Sequence, residues 1–137
     1  MAASTAPREA QRKDGLLQEY LVQAGVTINK GTLVSVDATG YARPARSGTA
    51  TDIFVGVAYE TVSNTGAAGS VTCRVYKTGS YVFATSVATA QTNVGAAFYA
   101  ADDETLTTTA TSNQLVGYAI KVEDASDLRI RIDNAVH

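Results

Sequence analysis

A chain of 137 residues is about one domain long, and 45% apolar against 18% charged residues is the balance of a folding sequence rather than a disordered one. A formal charge of −2 offers no clustered-cation footprint for nucleic acid, and no apolar run nears the roughly 20 residues that span a bilayer. Cys73 is the single cysteine, so an internal disulfide is excluded and a zinc site has no ligand spacing to work with.

The opening "MAASTAPREAQRKDG" has no apolar core of a signal peptide, so synthesis and retention in the producing cell's cytosol are expected. It carries Arg8, Arg12 and Lys13 but few large apolar groups. Pro7 suits a first helical turn and Gly15 an exit, so residues 1–16 read as an arm, mobile or holding a short helix. From Leu17 the texture changes to period two, and residues 17–137 read as a single β domain.

"GTLVSVD" sets Val34 and Val36 on one side and Leu33 and Ser35 on the other; "DATG" supplies turn chemistry, and "YARPA" completes a hairpin that Pro44 ends or edges. Ile53 to Glu60 reads as a strand, and "SNTGAAGS" as a flexible loop. "VTCRVY" then alternates cleanly, with Val71, Cys73 and Val75 on one face and Thr72, Arg74 and Tyr76 on the other. "KTG" is a tight turn into Tyr81–Ala84, and "VGAAFYA" starts a further strand. "TLTTTATS" has strand propensity throughout, while the last stretch, "DLRIRID", puts Leu128, Ile130 and Ile132 opposite Arg129, Arg131 and Asp133. The total is roughly eight to ten short strands and an all-β fold.

The chain echoes itself. Gly31 meets Gly95, Gly56 of "FVGVA" meets Gly117 of "LVGYA", and "VTCRVY" meets "LRIRID", at offsets of 64, 61 and about 57 residues, with the longer loops in the first half. Two similar β units that bury their apolar faces against each other predict a compact β-barrel or β-sandwich. Gly56 and Gly117 each sit mid-strand, where glycine costs about 0.5–1 kcal/mol relative to alanine, and such positions mark bulges or close backbone contacts.

Chemistry is sparse. His137 is the only histidine and the last residue, so a nucleophile–histidine arrangement has nowhere to form and no enzyme is expected. Cys73 alternates in phase with valines and reads as a packed core thiol. "GAAGS" lacks the phosphate-loop spacing, and Asp102, Asp103 and Glu104 lack that of a calcium loop, leaving no metal or cofactor expected. Arg74 and Tyr76 in the first unit, and Arg129 and Arg131 at the matching place in the second, are outward residues of the types favoured at protein interfaces.

"INKGTLVSVDATGYARPA", "VGVAYETVSNTGAAGSVTCRVYKTGSYVFA" and "VGAAFYAADDETLTTTATSNQLVGYAIKVEDASDLRIRID" together resemble the small capsid decoration, or cement, proteins of tailed bacteriophages and prophages, from about Leu17 to Asp133. The marks are the "G-x-L-V" strand entry, the "D-x-x-G-Y-A" hairpin, the Gly-rich loop before Val71, and a late "V-G-x-A" followed by "R-I-R-I". The resemblance implies a virion protein on the outside of the head that bridges and stabilises major capsid protein subunits, often as a homotrimer. It also implies an arm that reaches across the shell, here with Pro7, Arg8, Arg12, Lys13 and Leu16. Family members begin almost directly at the first strand, so this arm departs from the pattern. The competing expectation is a phage tail or receptor/glycan-binding β module, with Tyr41, Tyr59 and Tyr81 as stacking groups.

Overall fold

The computed structural model describes residues 4–8, 10–13 and 15–136. His137 lies outside them, as do parts of the N-terminal segment; its described residues 4–8 and 10–13 carry no helix or strand. From there the chain is all β, with no α-helix among the described residues.

The strands are β1 (Leu17–Leu21), β2 (Thr27–Ile28), β3 (Leu33–Val36), β4 (Ala42–Pro44), β5 (Ile53–Ala58), β6 (Val62–Ser63), β7 (Thr72–Tyr76), β8 (Ser80–Thr85), β9 (Ala97–Ala100), β10 (Thr105–Thr107), β11 (Leu115–Val122) and β12 (Asp127–Arg131). These exceed the eight to ten expected because β2 and β6, two residues each, form a separate small ladder. "TLTTTATS" supplies only Thr105–Thr107, since the chain leaves the ladder after its pairing with β9 ends.

Two five-stranded arrays result, one ordered β1-β7-β5-β3-β4 and the other a closed barrel ordered β10-β8-β12-β11-β9. They are the same array built twice. Leu33↔Val57 and Val34↔Gly56 in the first correspond to Ala97↔Tyr118 and Phe98↔Gly117 in the second, and each ladder then skips one residue, Val55 or Val116. Gly31 donates its backbone N–H to Ala58 O at 2.9 Å, and Gly95 donates to Ala119 O at 2.7 Å. Closure is equivalent too: the parallel pair Leu106↔Thr85 has its counterpart in the single parallel bridge Val22↔Ala42. The sequence register needs one correction: Arg74 pairs with Glu19 where Arg129 pairs with Val82, which aligns Cys73 with Leu128 rather than Ile130. The shorter connection between β11 and β12 in the second unit accounts for the slip.

The echoed glycines explain how each array bends. A Cβ on Gly56 would lie 2.1 Å from Tyr76 O, and one on Gly117 would lie 1.7 Å from Arg131 O, so only a residue without a side chain lets the neighbouring strand approach. Each sits at the register shift, where one extra residue tightens the local twist and curls the sheet.

Val34, Ala42, Val55, Cys73 and Val75 fill the first array, and Phe98, Leu106, Val116, Leu128 and Ile130 take the matching interior positions of the second. Leu33, Phe54 and Val57 leave the first array on its other face and join the second array's core, which is why both sides of β3 and β5 are buried. Full burial of such side chains contributes about 1.5–3 kcal/mol each. Hydrogen bonds stitch the same seam: the Leu33 backbone N–H donates to Asp103 O at 2.8 Å, and the Gln114 side-chain Nε2 donates to Thr49 O at 2.6 Å. "KTG" is therefore a connector between arrays, because β7 and β8 pair with different partners.

The loop "SNTGAAGS" is tied down rather than loose. Buried Asn64 donates from Nδ2 to Val22 O (3.0 Å), Gln23 O (3.2 Å) and Ala67 O (3.0 Å), and its Oδ1 accepts from Gly66 N. One side chain thus replaces a ladder.

Alanine at Gly56 or Gly117 is expected to cost about 2–3 kcal/mol through the carbonyl clash, whereas Gly95→Ala, with open space around it and only a positive φ of 87° to strain, costs about 1 kcal/mol. Urea unfolding midpoints of the three variants check the ranking.

Candidate functional site

The duplicated pairing brings the outward residues of β7 and β12 to equivalent places: Arg74 matches Arg129, and Tyr76 matches Arg131. Both arginines of the first match carry a local acid. Arg74 Nε donates to Glu60 Oε2 at 2.5 Å, and Arg129 Nε donates to Glu123 Oε1 at 2.9 Å. Arg131 donates from Nη2 to Asp133 Oδ1 at 3.1 Å. Hydrogen bonding to these guanidinium groups holds Glu60 and Glu123 below the usual carboxylate range.

An aromatic run joins the two faces. The Arg74 guanidinium lies 4.7 Å over the Tyr59 ring; Tyr59 and Tyr76 meet edge to face at 5.4 Å, and Tyr76 and Tyr81 lie 6.1 Å apart. Gly79 and Ser80 then lead to a shallow cleft with Ile120 and Arg131. Arg74, Tyr76 and Arg131 thus belong to one continuous outer surface.

Of the arm residues, Pro7, Arg8, Arg12 and Lys13 are exposed and Leu16 is 62% exposed. Lys13 shares a groove with Leu17, Gln18, Glu19 and Arg74, so the root of the arm reaches the arginine face of the first array. Asp102 Oδ1 accepts from Glu104 N and Thr105 N, making the acidic run a capped turn. Burial pushes the Cys73 thiol up to about 11, which keeps it protonated at neutral pH.

One group escaped the sequence reading. Lys77, in the connector, is only 6% exposed, and its Nζ donates to Tyr20 OH at 2.5 Å and lies 5.0 Å over the same ring. The ion pairs among the described residues engage other cations, and among those residues no carboxylate pairs with Lys77. Periodicity would have flagged it: Lys77 continues the buried parity of Cys73 and Val75.

No family model and no curated protein matches the chain. Among solved structures it is similar to the crystal structure of the N base of head fiber gp8.5 in bacteriophage phi29, with a TM-score of 0.50 and 15% identity over 87% of this chain and 96% of that one. At that identity the likeness is one of fold.

Burial lowers Lys77 to about 8, so between about pH 8 and 10 the unfolded chain, whose lysines titrate near 10.4, holds more protons than the folded one. Stability is therefore expected to rise with pH across that window, and Tyr20, raised by burial, reverses the trend above about pH 10. Guanidinium unfolding midpoints check this, and Lys77→Met removes the rise.

Proposed function

We propose that this protein is a structural component of a tailed-phage virion, seated on the outside of the head, where it bridges and stabilises neighbouring major capsid protein subunits. The observation that carries the reading is the shared fold with the base of a phage head fiber along nearly the whole of both chains. The sequence resemblance to capsid decoration proteins, from about Leu17 to Asp133, points the same way.

The physical layout suits the role. The closed second barrel, and the bridge that joins the edge strands of the first array, leave few unpaired strand edges, so the chain offers side chains and the N-terminal segment to a partner. Residues 1–16 act as the arm, with Pro7, Arg8, Arg12, Lys13 and Leu16 laid across the shell. The face bearing Arg74, Tyr76, Arg129 and Arg131 meets a capsid subunit or a second copy of this chain. Each arginine exchanges its local acid for one on the neighbour. A homotrimer joins three weak footprints, and simultaneous attachment raises avidity by orders of magnitude. Synthesis in the bacterial cytoplasm precedes assembly.

The glycan-binding alternative draws on Tyr41, Tyr59 and Tyr81, of which Tyr59 is exposed while Tyr41 and Tyr81 are half-buried. Tyr59 packs edge to face with Tyr76 and carries Arg74 over its ring, so it offers no flat platform for a sugar. Hits on a glycan array, or density on the tail in virion images, would favour that alternative.

Undecorated, expanded heads built from the major capsid protein of the same genome are expected to rupture at a higher temperature after mixing with this protein; absence of both binding and a shift sinks the reading. Deletion of residues 1–15 is expected to weaken head binding at least tenfold while the β arrays stay folded by circular dichroism. Equal binding by the truncated chain would remove the arm from the mechanism.

A further inference from the structure

The duplication supplies an internal control for Lys77. Tyr20 faces Cys73 across β1 and β7 as Phe83 faces Leu128 across β8 and β12, and Lys77 N–H donates to Leu16 O as Ile132 N–H donates to Gly79 O. Tyr20 and Lys77 therefore occupy the places that Phe83 and Ile132 fill in the second array. There, two apolar side chains pack fully into the core. The fold does not require a cation or a phenol at this position, yet the first array buries Lys77 and half-buries Tyr20.

A buried ammonium is retained at a desolvation cost that only an opposite charge offsets well. Among the described residues its three N–H donors have one acceptor, Tyr20 OH, and that acceptor is neutral. The pair opens on a cleft lined by Gly15, Gln18, Tyr20, Lys77 and Val136. Val136, in its wall, is 65% exposed, and Leu16, whose carbonyl accepts from Lys77 N–H, is 62% exposed.

We propose that the Lys77 cleft is a socket for the carboxylate of an acidic side chain on a partner protein. The Lys77 ammonium and the Tyr20 hydroxyl donate to the carboxylate oxygens, while Val136 covers an apolar residue beside it in the partner segment. A peptide segment fits better than a free small acid because the large exposed apolar side chain of Val136 lines the cleft beside the charge. The inference stands apart from the phage-head reading, since it concerns the chemistry of the socket whatever surface carries the partner.

The test follows the side-chain carbon resonance next to Lys77 Nζ while capped peptides Ala-Leu-Glu-Ala and Ala-Leu-Gln-Ala are titrated in. The Glu peptide is expected to shift it with roughly tenfold tighter binding than the Gln peptide. Lys77→Met, which places an apolar group where the second array has Ile132, is expected to stay folded and lose the difference. Equal responses to the two peptides, or none, overturn the proposal. So does sodium acetate matching the Glu peptide at equal concentration, which would make the cleft a site for free carboxylates. Asp14→Asn separates an occupant in the same chain: an unchanged Lys77 titration supports the proposal. A fall in Lys77 pKa in that variant would assign the socket to Asp14 and overturn it.

Discussion

Each array depends on one close approach, a strand backbone pressed against a carbonyl where a glycine has no Cβ to intervene. At Gly117 the carbonyl of Arg131 occupies the volume a methyl group would need, and at Gly56 the carbonyl of Tyr76 does the same. That contact lets the ladder skip Val116 or Val55 into the interior and turns a five-stranded sheet sharply enough to close. The glycine's entropic cost is repaid by the burial of the skipped valine and by the hydrogen bonds of closure.

Because the device occurs twice, the two arrays report on each other. Apart from the Tyr20 and Lys77 positions, matched interior positions such as Val34 against Phe98 and Ala42 against Leu106 change in size but stay apolar, with the smaller side chains in the first array. That array also carries the additions: the β2–β6 ladder, the loop held by Asn64, and the Tyr20–Lys77 pair. Divergence after a duplication concentrates where a fold does not need it, and the Lys77 cleft stands out on that ground.

The arginine faces are electrostatically quiet in isolation. Arg74, Arg129 and Arg131 each sit against a carboxylate on the same surface, so none offers a bare charge to a passing anion. Exposed pairs of this kind contribute little to folding.

The strand periodicity, the turn at Asp37–Gly40 and the repeated glycines were legible in the sequence, because alternating burial and backbone freedom are local demands that leave a mark in residue order. Gly56 and Gly117 pointed to bends before any strand was paired. The sequence also brought Arg74, Tyr76, Arg129 and Arg131 to matching outward places, since parity along a strand decides which side faces out. Tertiary structure alone decided that Leu33 and Phe54 face a second core, that "KTG" links two arrays instead of closing a hairpin, and that "SNTGAAGS" is pinned by Asn64. It alone set Lys77 beside Tyr20. These outcomes rest on contacts between residues distant in the chain, and whether a buried polar group has a partner depends on what packs around it, which residue order does not encode locally.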